Sequence, residues 1–199
     1  MLSRFFLLTV FIATQLQIQA QPQKGSIYLG GSLYGSLTIS GGRGTSLGLL
    51  PEAGIMLSDR WLVGLTGGYA FSGYNSGGSG STILRNHTPS GGIFARRYFR
   101  LTDRFFIQLN TAVTYSETWS RYISPYYDYT IPSKGLAFQT RPGLTYFIKP
   151  NFSIFSTFGI LNYQLDGLGS GTSALFQASL NSVSIGIGLQ LRSGKKGEE

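Results

Sequence analysis

Apolar residues recur at every second position along most of the chain. Ile27, Leu29, Leu33, Leu37 and Ile39 share one parity, with Gly31 and Gly35 between them, while Tyr28, Ser32, Tyr34, Ser36 and Thr38 occupy the other. Near the far end Val183, Ile185, Ile187, Leu189 and Leu191 alternate with Ser184, Gly186, Gly188, Gln190 and Arg192. A period of two sustained over such lengths predicts strands with one apolar face and one polar or very small face. After Ala20 there is no apolar run of about eighteen residues, so no transmembrane helix is expected there.

Three short polar turns punctuate the pattern: Leu57-Ser58-Asp59-Arg60-Trp61, Leu101-Thr102-Asp103-Arg104-Phe105 and Ile148-Lys149-Pro150-Asn151-Phe152. Each follows an aliphatic residue and precedes an aromatic one, and Asp, Pro and Asn are good turn formers for local hydrogen-bonding or dihedral reasons. Looser connections rich in Gly, Ser or Tyr run from Gly41 to Thr45, Asn75 to Thr88, Ser120 to Pro132 and Asp166 to Gln177. Alternating short and long connections predict eight strands, at about Ser26–Ser40, Ser46–Leu57, Trp61–Tyr74, Pro89–Arg100, Phe105–Trp119, Ser133–Ile148, Phe152–Leu165 and Ala178–Arg192. Such strands exceed the ~5–6 residues typical of soluble sheets and meet the ~9–11 tilted residues of a membrane crossing. The fold class expected is therefore an all-β, eight-stranded, antiparallel up-and-down transmembrane β-barrel, with short periplasmic turns and longer extracellular loops.

The chemistry of the non-apolar face separates lipid from water. A soluble, lipocalin-like ligand-binding barrel would carry many Lys, Glu and Asp on that face. The third strand instead sets Gly64, Thr66, Gly68, Ala70 and Ser72 opposite Trp61, Val63, Leu65, Tyr69 and Phe71; the fifth sets Gln108, Asn110, Ala112 and Thr114 opposite Phe105, Ile107, Leu109, Val113 and Tyr115. Small uncharged groups suit a crowded lumen. Trp61, Phe105 and Phe152 open strands after the short turns, while Tyr69, Phe71, Tyr115 and Trp119 lie toward the loop ends, as two interfacial belts would.

Few charges fall inside the spans. Parity places Glu52, Arg96 and Arg141 in the lumen, where an unpartnered charge is costly, so Glu52 is expected to pair with at least one of the arginines. Arg97 then faces outward near a turn, where its stem can snorkel to headgroups. The seventh strand is ambiguous: Phe152, Ile154, Phe158 and Ile160 compete with Phe155, Leu161, Tyr163 and Leu165 for the outer face, which a bulge or a wide apolar face would explain.

Composition adds location. Of 199 residues none is Cys and one is His, which excludes disulfide scaffolds, thiolate metal sites and multi-histidine centres. Cofactors are not expected. Met1 to Ala20 combines Arg4, the apolar run Phe5 to Ala13 and a polar stretch ending Ile18-Gln19-Ala20, the layout of a secretory signal peptide cleaved after Ala20. A barrel over 21–192 and a polar tail over 193–199 follow it. Without Arg4 the 16 basic residues become 15 against 8 acidic, a surplus of seven. In an exported chain with scattered basic residues this points to anionic lipid headgroups, not nucleic acid.

The stretch Leu50-Pro51-Glu52-Ala53-Gly54-Ile55-Met56-Leu57-Ser58-Asp59-Arg60-Trp61-Leu62-Val63-Gly64 is similar to the Pro-x-x-Gly-Tyr, turn, Gly pattern of the outer-membrane β-barrel domain family common in Bacteroidota. Ile93-Phe94-Ala95-Arg96-Arg97-Tyr98-Phe99 resembles that family's Pro-Phe-x-Arg-Tyr-Tyr-Phe segment. Arg97 stands where the family has Tyr, and the chain lacks the terminal aromatic common at its end. The resemblance implies a Gram-negative outer-membrane location and an architecture like OmpX or the OmpA barrel, with no established activity.

The function expected is non-enzymatic: a monomeric barrel embedded in outer-membrane lipid that reinforces the membrane or presents loops to an extracellular ligand or surface. The loop Ser120 to Pro132 supplies the candidate contact residues Tyr122, Tyr126, Tyr127 and Tyr129 beside Arg121 and Asp128. The alternative is a barrel-borne lipid-modifying enzyme. Its one available histidine base, His87, falls in the Asn75–Thr88 loop with no acid nearby in sequence. A diffusion pore is disfavoured because eight strands close around packed side chains.

Overall fold

The computed structural model describes residues 22–38, 43–76, 82–166 and 173–191; the expected leader, Met1–Ala20, and the tail, 193–199, lie outside them. Eight strands run β1 Ile27–Thr38, β2 Arg43–Ser58, β3 Trp61–Asn75, β4 Ile83–Arg100, β5 Phe105–Ser124, β6 Tyr127–Lys149, β7 Phe152–Asp166 and β8 Ser173–Leu191. Each pairs antiparallel with the next, and β1 closes on β8 from Ile27↔Leu191 to Tyr34↔Ser184. Closure leaves no edge strand, the condition for placing a sheet in hydrocarbon.

The pleat sorts the side chains as the alternation predicts. Leu47, Leu65, Ile93 and Ile185 point outward with 59%, 66%, 60% and 67% of their surface exposed, whereas Tyr28, Leu62 and Phe147 are buried in the lumen. An outer face of Leu, Ile, Val and Phe between rings of Trp and Tyr is unfavourable in water and favourable in lipid, so the fold is a transmembrane β-barrel. From Trp61 to Phe71 the strand climbs ten residues, which at ~3.4 Å each and a tilt near 40° gives a band of about 25 Å.

Several expected boundaries are corrected. β4 begins at Ile83, not Pro89, while β5 and β6 continue to Ser124 and Tyr127 and replace most of the expected Ser120–Pro132 loop with a hairpin turning at Pro125-Tyr126. β8 likewise begins at Ser173. Above the apolar band both faces of a hairpin meet water, so backbone pairing continues after the alternation has ended.

The seventh strand resolves as a bulge. Gly159 has φ of 72°, and the register shifts between Phe158 and Ile160 against β8 and between Thr140 and Gly143 against β7. Below it Ile154 and Phe158 face outward; above it Leu161 and Tyr163 do. Each competing set is therefore outward over half of the strand, because the extra residue inverts the parity.

The lumen differs in one respect from a cylinder of small polar groups. Its short-turn end is plugged by Tyr28, Met56, Leu62, Phe94, Tyr98, Phe106 and Phe147. Phe106 meets Phe147 edge-on at 5.3 Å and Tyr98 at 6.2 Å. Glycines make room for the rings: a Cβ on Gly30 would stand 2.4 Å from Tyr28 Oη, and one on Gly186 would stand 2.3 Å from Phe155 Cζ.

Candidate functional sites in the lumen and at the rim

Glu52 on β2 and Arg96 on β4 meet across the lumen. Arg96 Nη2 donates to Glu52 Oε2 at 2.5 Å and Nη1 donates to Tyr28 Oη at 3.1 Å. Asn110 Nδ2 reaches Glu52 Oε1 at 3.4 Å. The guanidinium also lies 4.8, 5.4 and 5.5 Å from the ring centres of Phe155, Tyr28 and Phe94. Arg96 is wholly buried, so its charge is tolerable only because a carboxylate and three ring faces replace water. Pleat parity determines that both residues point inward. The β2–β3–β4 register, with Glu52↔Thr66 and Leu62↔Arg96, sets the relative heights of these strands.

Arg141 shares the lumen but not this pair. Its Nη2 donates to Gln139 Oε1 at 2.9 Å, and it lines a cavity of about 170 Å³ with Tyr34, Glu52, Asn110 and Gln139. The cavity sits above the ion pair, and the aromatic plug closes the lumen below. Arg97 faces outward, with its guanidinium over Phe99 at 4.9 Å and Trp61 at 5.3 Å, so the short-turn belt carries a cation on its aromatic faces.

At the opposite rim, Tyr122 lies on β5, Tyr127 and Tyr129 lie on β6, and only Tyr126 occupies the turn. Tyr122 and Tyr129 are register partners whose rings stack at 5.2 Å with an interplanar angle of 18°, and Tyr127 tilts against Tyr129 at 5.4 Å. Arg121 grips Asp128 through two bonds, Nε to Oδ1 at 2.9 Å and Nη2 to Oδ2 at 2.6 Å. That hydrogen bonding holds the Asp128 carboxyl below its usual range. Tyr127 Oη lies 3.2 Å from Thr82 Oγ1, tying the hairpin to the start of β4, while Tyr126 is 90% exposed.

His87 is on β4, not in a loop. Its position on the outward parity puts the ring between Phe71, centroids 5.2 Å apart, and Tyr69, whose Oη lies 2.6 Å from Nδ1. The reason is again pairing beyond the apolar band: Phe71↔His87 and His87↔Trp119 are register partners. Alternation offers no apolar residue at 85 or 87 with which to extend β4.

The sequence matches no known protein-family profile and no curated protein. Among solved structures it is similar to a major outer membrane protein from Thermus thermophilus, at 15% identity over 84% of this chain and 99% of that one, with a TM-score of 0.49. It is also similar to Neisserial surface protein A, at 17% identity over 83% and 97% with a TM-score of 0.40. A third is the N-terminal β-barrel domain of Pseudomonas aeruginosa OprF, at 14% over 84% and 98% with a TM-score of 0.42. The architecture of this chain rests on its own register, which closes eight antiparallel strands into one ring.

Proposed function

We propose that the protein is a non-enzymatic outer-membrane barrel that stands as a monomer in the lipid and holds its β5–β6 hairpin above it as a contact surface for an extracellular partner. The observation that carries this reading is the ordered tyrosine cluster on that hairpin. Tyr122 and Tyr129 stack, Tyr127 packs on them, Arg121 and Asp128 pin the strands, and Tyr126 projects from the turn. Aromatic side chains held on a paired backbone lose little further freedom on binding and offer broad apolar area with a polar tip. The barrel below them is closed and rigid, as a scaffold for recognition requires.

Export through the Met1–Ala20 leader and a Gram-negative outer-membrane address belong to the same reading. They are supported by the apolar band and by the termini of the ring, since Ile27 and Leu191 lie together at the short-turn end. The test is adhesion of cells displaying the protein to surfaces coated with host cells or matrix. Replacing Tyr126, Tyr127 and Tyr129 by Ser is expected to remove the adhesion while leaving barrel insertion intact. Unchanged adhesion in the triple variant would remove the contact-surface role.

A further inference from the structure

We infer that the outward patch around Arg85, on β4 just above the loop-end aromatic belt, binds the phosphate of an anionic lipid headgroup in the adjoining leaflet. The inference rests on the membrane reading proposed above. Outward residues of β4 succeed one another as Arg85 and His87. In register, Arg85 faces Gly73 on β3 and Arg121 on β5, while His87 faces Phe71 and Trp119. Tyr69, Phe71, His87 and Trp119 form a layer of rings, with Tyr69 bonded to His87 at 2.6 Å, and such rings settle at the boundary of hydrocarbon and headgroup. Arg85 lies two residues farther along the strand, about 7 Å, which carries its guanidinium into the headgroup layer.

The charges there are unbalanced in a specific way. Arg85 and Arg121 stand directly opposite each other on the same face, an arrangement that like charges disfavour. Arg121 is neutralised by Asp128, and Glu117, lower on β5, faces Lys134 in register. Among the described residues Arg85 has no ion-pair partner. Its neighbour on the other side, Gly73, carries no side chain, and the nearest group to that position is the Phe71 ring, 3.8 Å from where a Cβ would stand, so no charge competes for Arg85 on that flank. A phosphate meets the planar fork of Arg through paired, charge-assisted hydrogen bonds, and its negative charge would balance Arg85 as Asp128 balances Arg121.

The two tryptophans make the patch measurable, because Trp119 lies beside it and Trp61 lies in the opposite belt. The full barrel carrying Trp61→Phe is reconstituted in vesicles of mixed phosphatidylcholine and phosphatidylglycerol, with bromine on the acyl chains of one lipid or the other. The ratio of Trp119 quenching by the brominated anionic lipid to that by the brominated neutral lipid reports local enrichment. We expect about fivefold enrichment over the bulk mixture, the worth of one cation near an anionic surface. It should fall severalfold in Arg85→Gln, persist in Arg85→Lys, and weaken in the unmutated Arg85 protein when salt shortens the screening length. Equal quenching by both lipids, or a preference unmoved by Arg85→Gln and by salt, overturns the phosphate site and leaves the membrane reading standing. Absence of quenching by either lipid overturns the membrane reading, and the site with it.

Discussion

Arg96 and Glu52 form a buried ion pair across the lumen, 2.5 Å apart, between strands that are not neighbours in the sheet. Tyr28 completes a triangle by accepting from Arg96 at 3.1 Å and donating to Glu52 at 3.4 Å. Removing one member of a buried pair strands the other charge, at a cost of about 3–5 kcal/mol, whereas replacing both by apolar groups of similar size is often nearly neutral. Glu52→Leu and Arg96→Met should each lower stability in urea titrations of the lipid-embedded barrel by that amount. The double variant should recover most of the loss. Simple addition of the two single losses would mean that the residues are not energetically coupled.

The plug beneath this pair predicts the protein's electrical behaviour. Tyr98, Phe106 and Phe147 are buried against one another, and the cavity above them, about 170 Å³, ends at the Glu52–Arg96 pair. Purified protein in planar bilayers is expected to leave the current at the level of bare lipid. Discrete conductance steps at moderate voltage would show that the plug is not closed.

How much of this was legible in the sequence depends on where the alternation stops. Within the apolar band Leu65 against Thr66, or Ile185 against Ser184, reveals the facing without coordinates. At the short-turn end the signal is hidden because both faces are apolar: Trp61-Leu62, Tyr98-Phe99, Phe105-Phe106 and Tyr146-Phe147 each send one residue to the belt and one to the plug. At the loop end the strict alternation lapses into mixed runs such as Ile83-Leu84-Arg85-Asn86-His87 and Arg121-Tyr122-Ile123-Ser124, so β4 and the β5–β6 hairpin extend into segments that read as loops. The lumen charges show a different limit. Parity puts Glu52, Arg96 and Arg141 inside, but which arginine meets the carboxylate follows from register and tilt, which sequence periodicity does not encode.

Two adjacent glycines on β4 should respond oppositely to a methyl group. A Cβ on Gly92, which faces the lumen, would stand 2.0 Å from the Val113 carbonyl oxygen and 2.8 Å from Thr114 Cα, both backbone atoms of β5. On Gly91, facing outward, the nearest atom would be the Thr66 carbonyl oxygen at 4.0 Å. Gly92→Ala must push two strands apart and should cost about 1–3 kcal/mol in equilibrium unfolding. Gly91→Ala should be neutral or slightly stabilising, because it reduces the freedom of the unfolded chain.

The bulge in β7 offers a backbone test. Gly159 adopts φ of 72°, in the left-handed region that costs an L-residue roughly 1–2 kcal/mol. Gly159→Ala should destabilise by that amount. Deleting Gly159 should do more harm, because the outward facing of Leu161 and Tyr163 depends on the extra residue. Retention of full stability by the deletion variant would argue that β7 tolerates either parity.

The Arg121–Asp128 clasp makes order in the rim hairpin depend on pH. Hydrogen bonding from Arg121 lowers the folded-state pKa of Asp128, so the clasp contributes fully above the ordinary carboxylate value near 3.9 and is lost as pH falls through the lower folded value. Between neutral pH and about 5 the hairpin should therefore be insensitive to pH, with no loosening at mildly acidic values. Carboxyl carbon shifts of Asp128 should titrate below the ordinary range and return to it in Arg121→Gln. Amide exchange at Tyr127 and Tyr129 should accelerate only once that titration begins. Acceleration well above the range in which Asp128 titrates would show that the clasp does not control the hairpin's order.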